Sequence, residues 1–129
     1  MKEPVWLLKS SVIAVHNMLI VRFGGLDGIR DEDLVDSALA RPASLYHYER
    51  CSNVSQLAPA YAGSIIQNHP FVDGNKRTGF MAAFIFLDLN GKTLQADEVT
   101  ATGMTLSLAA SDINEREYAA WLAENIGAK

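Results

Sequence analysis

Phe80 to Leu87 is the longest unbroken apolar run in this chain, eight residues without a polar side chain. It is too short to cross a bilayer, which takes roughly 20 residues, and Asn90-Gly91 behind it is a strong helix stop. A helix that is apolar all round has to be enclosed by other elements. The segment from Asn75 to Leu89 is therefore expected to be the central helix of a bundle. Ala and Leu supply 31 residues against 21 for the β-branched Val, Ile and Thr, and no stretch alternates strictly between apolar and polar. These features predict an all-α chain, a compact bundle of about six helices around a buried central helix. With no internal repeat and no Pro/Gly/Ser linker, residues 1–129 read as a single domain. A chain of this length can bury about two-thirds of its unfolded surface, enough for a core without disulfides or structural metal.

The remaining helices follow from start and stop signals. A first helix is expected from Trp6 to Phe23, with Leu8, Val12, Val15 and Leu19 inward, ending at Gly24-Gly25. Asp27-Gly28 makes a turn, and Asp31 is the candidate N-cap of a second helix that should stop near Arg41, because Pro42 follows. Tyr46 and Tyr48, two apart, suit an extended segment at least as well as a helix. A third helix is expected over Leu57 to Asn68, with Pro59 tolerated only in a first turn and Pro70 barring continuation. The last two should span Asp97 to Ala109 and Glu115 to Ile126, the latter opened by a capping box of Asn114 and Glu117.

Charge and cysteine content narrow the function classes. Eleven basic against fifteen acidic residues give a net charge of −4, with pI near 5.2, which argues against a general grip on nucleic acid or anionic lipid. Any bound phosphate must sit in a local site. Cys51 is the only cysteine, so neither an intrachain disulfide nor a paired-cysteine zinc site can form, and a reducing cytoplasm is the expected compartment. The N-terminal apolar stretch Val5 to Leu8 is cut by Lys9, Ser10 and Ser11, too early for a signal peptide, and no apolar run is long enough for a membrane span.

The segment that carries chemistry is His69-Pro70-Phe71-Val72-Asp73-Gly74-Asn75-Lys76-Arg77, between the third helix and the apolar fourth one. The free N–H groups and positive dipole end of a starting helix attract anions. Gly74 lets successive N–H groups converge, and Lys76 and Arg77 add two charges, making a phosphate cradle. A carboxylate inside such a cradle is costly without a cation, so Asp73 suggests Mg²⁺ bridging to a polyphosphate, with ATP as the natural ligand. His69, four residues earlier, is placed to take a proton from an attacking hydroxyl. Taken singly, Asp73 is a helix cap, Gly74-Asn75 a turn, and Lys76 and Arg77 a solvated first turn; what sets them apart is their joint occurrence within nine residues. His16, among apolar positions, reads as a hydrogen-bonded packing residue. His47 and Cys51 carry no assigned role, and Trp6, Phe80, Phe84, Phe86 and Trp121 read as core.

The nine residues resemble the motif of the Fic family, His-Pro-Phe-x-Asp/Glu-Gly-Asn-Gly-Arg-x-x-Arg, and most closely its Doc (death on curing) branch. Phe23 to Asp31, Ser37 to Pro42, Phe86-Leu87 and Asn90-Gly91 also look like Doc-type sequences, so nearly the whole chain is covered. The resemblance implies an all-α Fic fold and transfer of part of a nucleotide to a protein hydroxyl. Carried over by motif position, it implies His69 as catalytic base and Asp73 as Mg²⁺ ligand. It implies Gly74 and Asn75 as the anion-binding turn, Arg77 as the phosphate-binding arginine, and Phe71 as the aromatic that packs the loop. Tyr46 and Tyr48 could belong to the flap by which Fic proteins pair with a target segment, or be loop anchors.

Two departures bear on the reaction. Lys76 stands where nucleotidyl-transferring members have Gly, and Phe80 where they have a second Arg. The Doc branch shares the lysine, and its members resemble this chain in transferring the γ-phosphate of ATP to Ser or Thr, the branch target being the translation factor EF-Tu. Implied is therefore the toxin of a toxin–antitoxin pair, a protein Ser/Thr kinase that uses ATP and Mg²⁺ and blocks translation. The alternatives are an AMP transferase and a silent nucleotide- or partner-binding module. Self-inhibited Fic proteins carry a Ser/Thr-x-x-x-Glu-Gly/Asn helix; the nearest match, Ala120 to Asn125, begins on Ala. Restraint is then expected from a separate Phd-like antitoxin whose disordered tail folds on the toxin.

Overall fold

The computed structural model describes residues 3–128 as six helices and one pair of short antiparallel strands. In order these are α1 (Lys9–Phe23), α2 (Glu32–Tyr48), α3 (Val54–Asn68), α4 (Asn75–Leu89), β1 (Lys92–Leu94), α5 (Glu98–Ala109), α6 (Glu115–Asn125) and β2 (Ile126–Ala128). The all-α bundle of six helices around a buried helix is as expected, but the enclosed helix is α3, not α4. Every residue from Leu57 to Ile66 is buried, and α2, α4, α5 and α6 all pack on α3. Its small residues explain this: Ala58, Ala60, Ala62 and Gly63 let neighbours approach closely from several sides. On α4 the apolar run is buried only along Ala82, Ala83, Phe86 and Leu87, while Phe80 and Phe84 stay half-exposed.

Both internal prolines are helical. α2 continues past Arg41 to Tyr48, and Pro59 sits beyond the first turn of α3. A proline deletes one ladder bond and crowds the carbonyl four residues back, about 3 kcal/mol in an isolated helix. Here both rings are buried at the packed α2 and α3 surfaces, and their burial offsets that loss. Tyr46 and Tyr48 accordingly ride on a helix and form no extended flap; Tyr46 packs edge-on against Trp6, and Tyr48 is exposed. α1 starts at Lys9, three residues later than expected. The preceding arm is held extended by Asn90, which exchanges hydrogen bonds with the Val5 backbone (2.8 and 3.1 Å), while Trp6 stacks on Phe86.

The caps read from sequence are present. Asp31 accepts from Asp33 and Leu34 N–H, and Asn114 with Glu117 closes a full capping box; Asp97, expected as the first residue of its helix, is instead its N-cap and accepts Thr100 N–H. Unforeseen is the antiparallel pairing of β1 with β2, Lys92 opposite Ala128 and Leu94 opposite Ile126, which ties the chain end to the exit of α4. No helix among the described residues is long and apolar enough to cross a membrane.

Candidate functional site

The corner between α3 and α4 holds all six residues singled out from sequence, and its geometry begins with a proline. Pro70 ends α3, and His69 turns the chain from the left-handed region, φ 54° and ψ 51°. For a non-glycine residue that conformation costs roughly 1–2 kcal/mol, so something must hold it. Arg30, between α1 and α2, does so: its Nε donates to the His69 carbonyl (2.6 Å) and its Nη2 to the Asn68 carbonyl (2.8 Å). The backbones add to the grip. Arg30 and Asp31 N–H both donate to Pro70 O, Val72 N–H donates to Gly28 O (3.0 Å), and Ile29 pairs with Phe71 as an antiparallel bridge. A strand-like pairing beside the motif is thus made within the chain, by Ile29 with Phe71.

Below the loop, Phe71 is fully buried and lies flat on the His16 ring, centroids 3.9 Å apart. His16 is the packing residue expected, yet it also hydrogen-bonds the Asp73 carbonyl through Nε2 at 2.8 Å. The Asp73 carboxylate is exposed and accepts Leu26 N–H at Oδ2 (3.1 Å) and Gly74 N–H at Oδ1 (2.9 Å). Those two N–H groups hold its carboxyl below the ordinary carboxylate range, with a smaller contribution from the Arg77 charge. Asp73 is therefore ionised and ties the α1–α2 loop to the motif. Gly25 makes the approach possible, because a Cβ there would stand 2.7 Å from Asp73 Oδ2.

Gly74 is the N-cap of α4, left-handed at φ 78°, and its carbonyl accepts the first internal bond of the helix from Thr78. The N–H groups of Asn75, Lys76 and Arg77 precede that bond and open the helix as an anion-attracting terminus. Lys76 and Arg77 are exposed there. Arg77 lays its guanidinium over the Phe23 ring, 4.5 Å from the centroid, so the last residue of α1 steers one of the two cations. The Asn75 side chain behaves differently. It is buried, and its amide is taken up by both Phe71 backbone groups and by His69 Nδ1, leaving its backbone N–H, not its side chain, at the helix mouth.

Asp73 and the α4 terminus suit a magnesium–polyphosphate. Among the described residues no three His, Cys, Asp or Glu side chains could hold a metal ion by themselves. Mg²⁺ characteristically takes one or two carboxylates and completes its shell from phosphates and water, which an exposed ionised Asp73 beside two cations can accommodate.

Arg30, His16, Phe23 and Gly25 were not legible as parts of this corner. His16 carried a weak signal, a histidine in an apolar stripe; Arg30 carried none, because its partners lie 38 and 39 residues away.

Comparison with known proteins places this geometry. The family described as the Fic/DOC family matches residues 6–87. The chain is 44% identical over 78 residues to "Toxin Doc" of Mycolicibacterium smegmatis, an alignment covering 60% of each chain. It is 29% identical over 103 residues to "Protein kinase doc" of Escherichia phage P1, covering 80% of this chain and 81% of that protein.

Proposed function

Because the chain belongs to the Fic/DOC family, we propose that it is a toxin of the Doc type that transfers the γ-phosphate of ATP to a Ser or Thr hydroxyl of a target protein. The observation that carries the reading is the exposed Lys76 in the first turn of α4, beside Arg77 and across the loop from His69. A lysine there supplies charge and fills the room that a glycine would leave for a phosphate lying against the backbone. Phe80, half-exposed one turn on, brings no second arginine. A terminal phosphate, with its larger charge, suits such a cradle better than the α-phosphate does. The names of the two relatives, a toxin and a protein kinase, support the same reading.

In this reaction the target oxygen bonds to the γ-phosphorus while the bond from that phosphorus to the bridging oxygen breaks, releasing ADP. Asp73 would hold Mg²⁺, which neutralises charge on the phosphates when bound. The α4 N–H groups, Lys76 and Arg77 bind and orient the phosphates. His69, exposed across the loop from the two cations, would take the proton that the target hydroxyl gives up as its oxygen bonds to phosphorus. EF-Tu is the proposed target, with translation arrest as the outcome, a Phd-like antitoxin the proposed restraint, and the cytoplasm the proposed compartment. Incubating purified protein with EF-Tu and ATP labelled at the α or γ position tests the reaction. Label from γ-ATP alone is the expected result; label from α-ATP would replace the proposal with AMP transfer.

A further inference from the structure

His16 is 1% exposed in the middle of α1, a buried titratable side chain that has no part in the proposed reaction. Its ring lies flat on Phe71, and its Nε2 meets the Asp73 carbonyl at 2.8 Å, 57 residues further along the chain. A carbonyl oxygen only accepts, so Nε2 carries the proton and donates it. The peptide from Asp73 to Gly74 is trans, and a trans peptide points its C=O and its N–H to opposite sides. With the carbonyl drawn inward to His16, the Gly74 N–H faces outward, where it donates to Oδ1 of the exposed Asp73 carboxylate at 2.9 Å. Gly74 also makes the opposite arrangement accessible. Turning the peptide over changes the φ of Gly74, and glycine takes values of either sign about equally readily. The carbonyl would then meet water, and the carboxylate would lose the Gly74 N–H.

We infer that His16 is a positioning residue for Asp73: by holding the 73–74 peptide with its carbonyl inward, it sets the Gly74 N–H against the carboxylate assigned above to Mg²⁺. The consequence for ligand binding rests on the proposed function; the orientation of the peptide does not. Leu26 N–H takes one carboxylate oxygen and Gly74 N–H the other, which fixes the plane of the group and leaves its remaining lone pairs free for a cation. With the Gly74 bond gone the carboxylate can rotate, and the order it lacks must be supplied when metal and nucleotide bind.

Two substitutions separate the ring of His16 from its donor. His16→Phe keeps a flat ring on Phe71 and removes the N–H; His16→Gln gives up the ring and keeps an N–H donor. Thermal unfolding confirms that each is folded. The Gly74 amide proton in the assigned ¹H–¹⁵N spectrum reads the peptide without nucleotide, with Asp73→Ala marking its position when no carboxylate accepts it. His16→Phe is expected to move the signal toward that of Asp73→Ala and to weaken MgATP binding, followed by calorimetry, by roughly tenfold or more. His16→Gln is expected to restore both. A Gly74 signal unmoved in His16→Phe, or lost equally in His16→Gln, overturns the inference and leaves His16 as packing. A moved signal with unchanged MgATP affinity overturns the positioning role. Should the wild type bind no MgATP, the proposed function fails, and the Gly74 signal still decides how the peptide is held.

Discussion

Two corners of this molecule solve the same backbone problem by different means. The α3–α4 corner turns on His69 (φ 54°) and the α5–α6 corner on Ser111 (φ 64°), each a non-glycine residue held left-handed. At Ser111 the partners of the turning backbone itself are local, and the long-range Arg41–Glu115 pair acts only on the helix that follows. Asp112 N–H donates to Ser107 O at 2.9 Å, and Asn114 and Glu117 close the next helix within three residues. At His69 the partners come from far along the chain: Arg30 on its carbonyl, Leu26 N–H on Asp73, and His16 beneath Phe71. A corner that only has to turn can be closed by its neighbours. A corner that must present a particular side chain in a strained conformation is held from outside, at the cost of long-range contacts.

The comparison sharpens first at Asp73, since the carboxylate at the matching position of the other corner, Glu115, is taken up by Arg41. Asp73→Ala should weaken MgATP binding by about 10- to 100-fold, the scale of a charge-assisted contact of about 1.5–3 kcal/mol. Calorimetric titration measures this, and unchanged affinity would leave Asp73 as a loop tie alone.

Arg30→Ala comes next. Two charge-assisted hydrogen bonds to exposed carbonyls are lost, so a destabilisation of about 2 kcal/mol is expected by urea unfolding, together with slower transfer. Retention of full stability would break the claim that this corner is gripped from a distance. Gly74→Ala places a Cβ at φ 78°, 3.1 Å from Ile20 Cδ1, and should cost about 1–2 kcal/mol. The smallest effect belongs to the other corner. Ser111→Gly relieves left-handed strain where no chemistry is at stake and should stabilise by about 0.5–1 kcal/mol, measured as a raised unfolding midpoint.

Much of this was legible in the sequence where the signal was local. Asp31 and Asn114 announced their helices because a cap is a contact between near neighbours. The motif from His69 to Arg77 announced the site for the same reason. What escaped was decided at a distance. Pro42 and Pro59 are tolerated inside helices only because tertiary packing buries their rings. α3 outranks α4 as the enclosed helix because small Ala and Gly residues admit neighbours, a property that a count of large apolar residues overlooks. The resemblance implied Asn75 as part of an anion-binding turn; only the fold reveals that its amide turns inward to Phe71 and His69.

The most direct test of the account is His69→Gly, followed by thermal unfolding and phosphate transfer on the same preparation. Glycine adopts the left-handed conformation without strain, and His69 is exposed, so water can replace its contact with Asn75. The account predicts a melting temperature equal to or above that of the wild type, with transfer reduced by at least about 10²-fold. Transfer at the wild-type rate in the folded variant would contradict it, because the strained histidine would then serve the fold and not the chemistry.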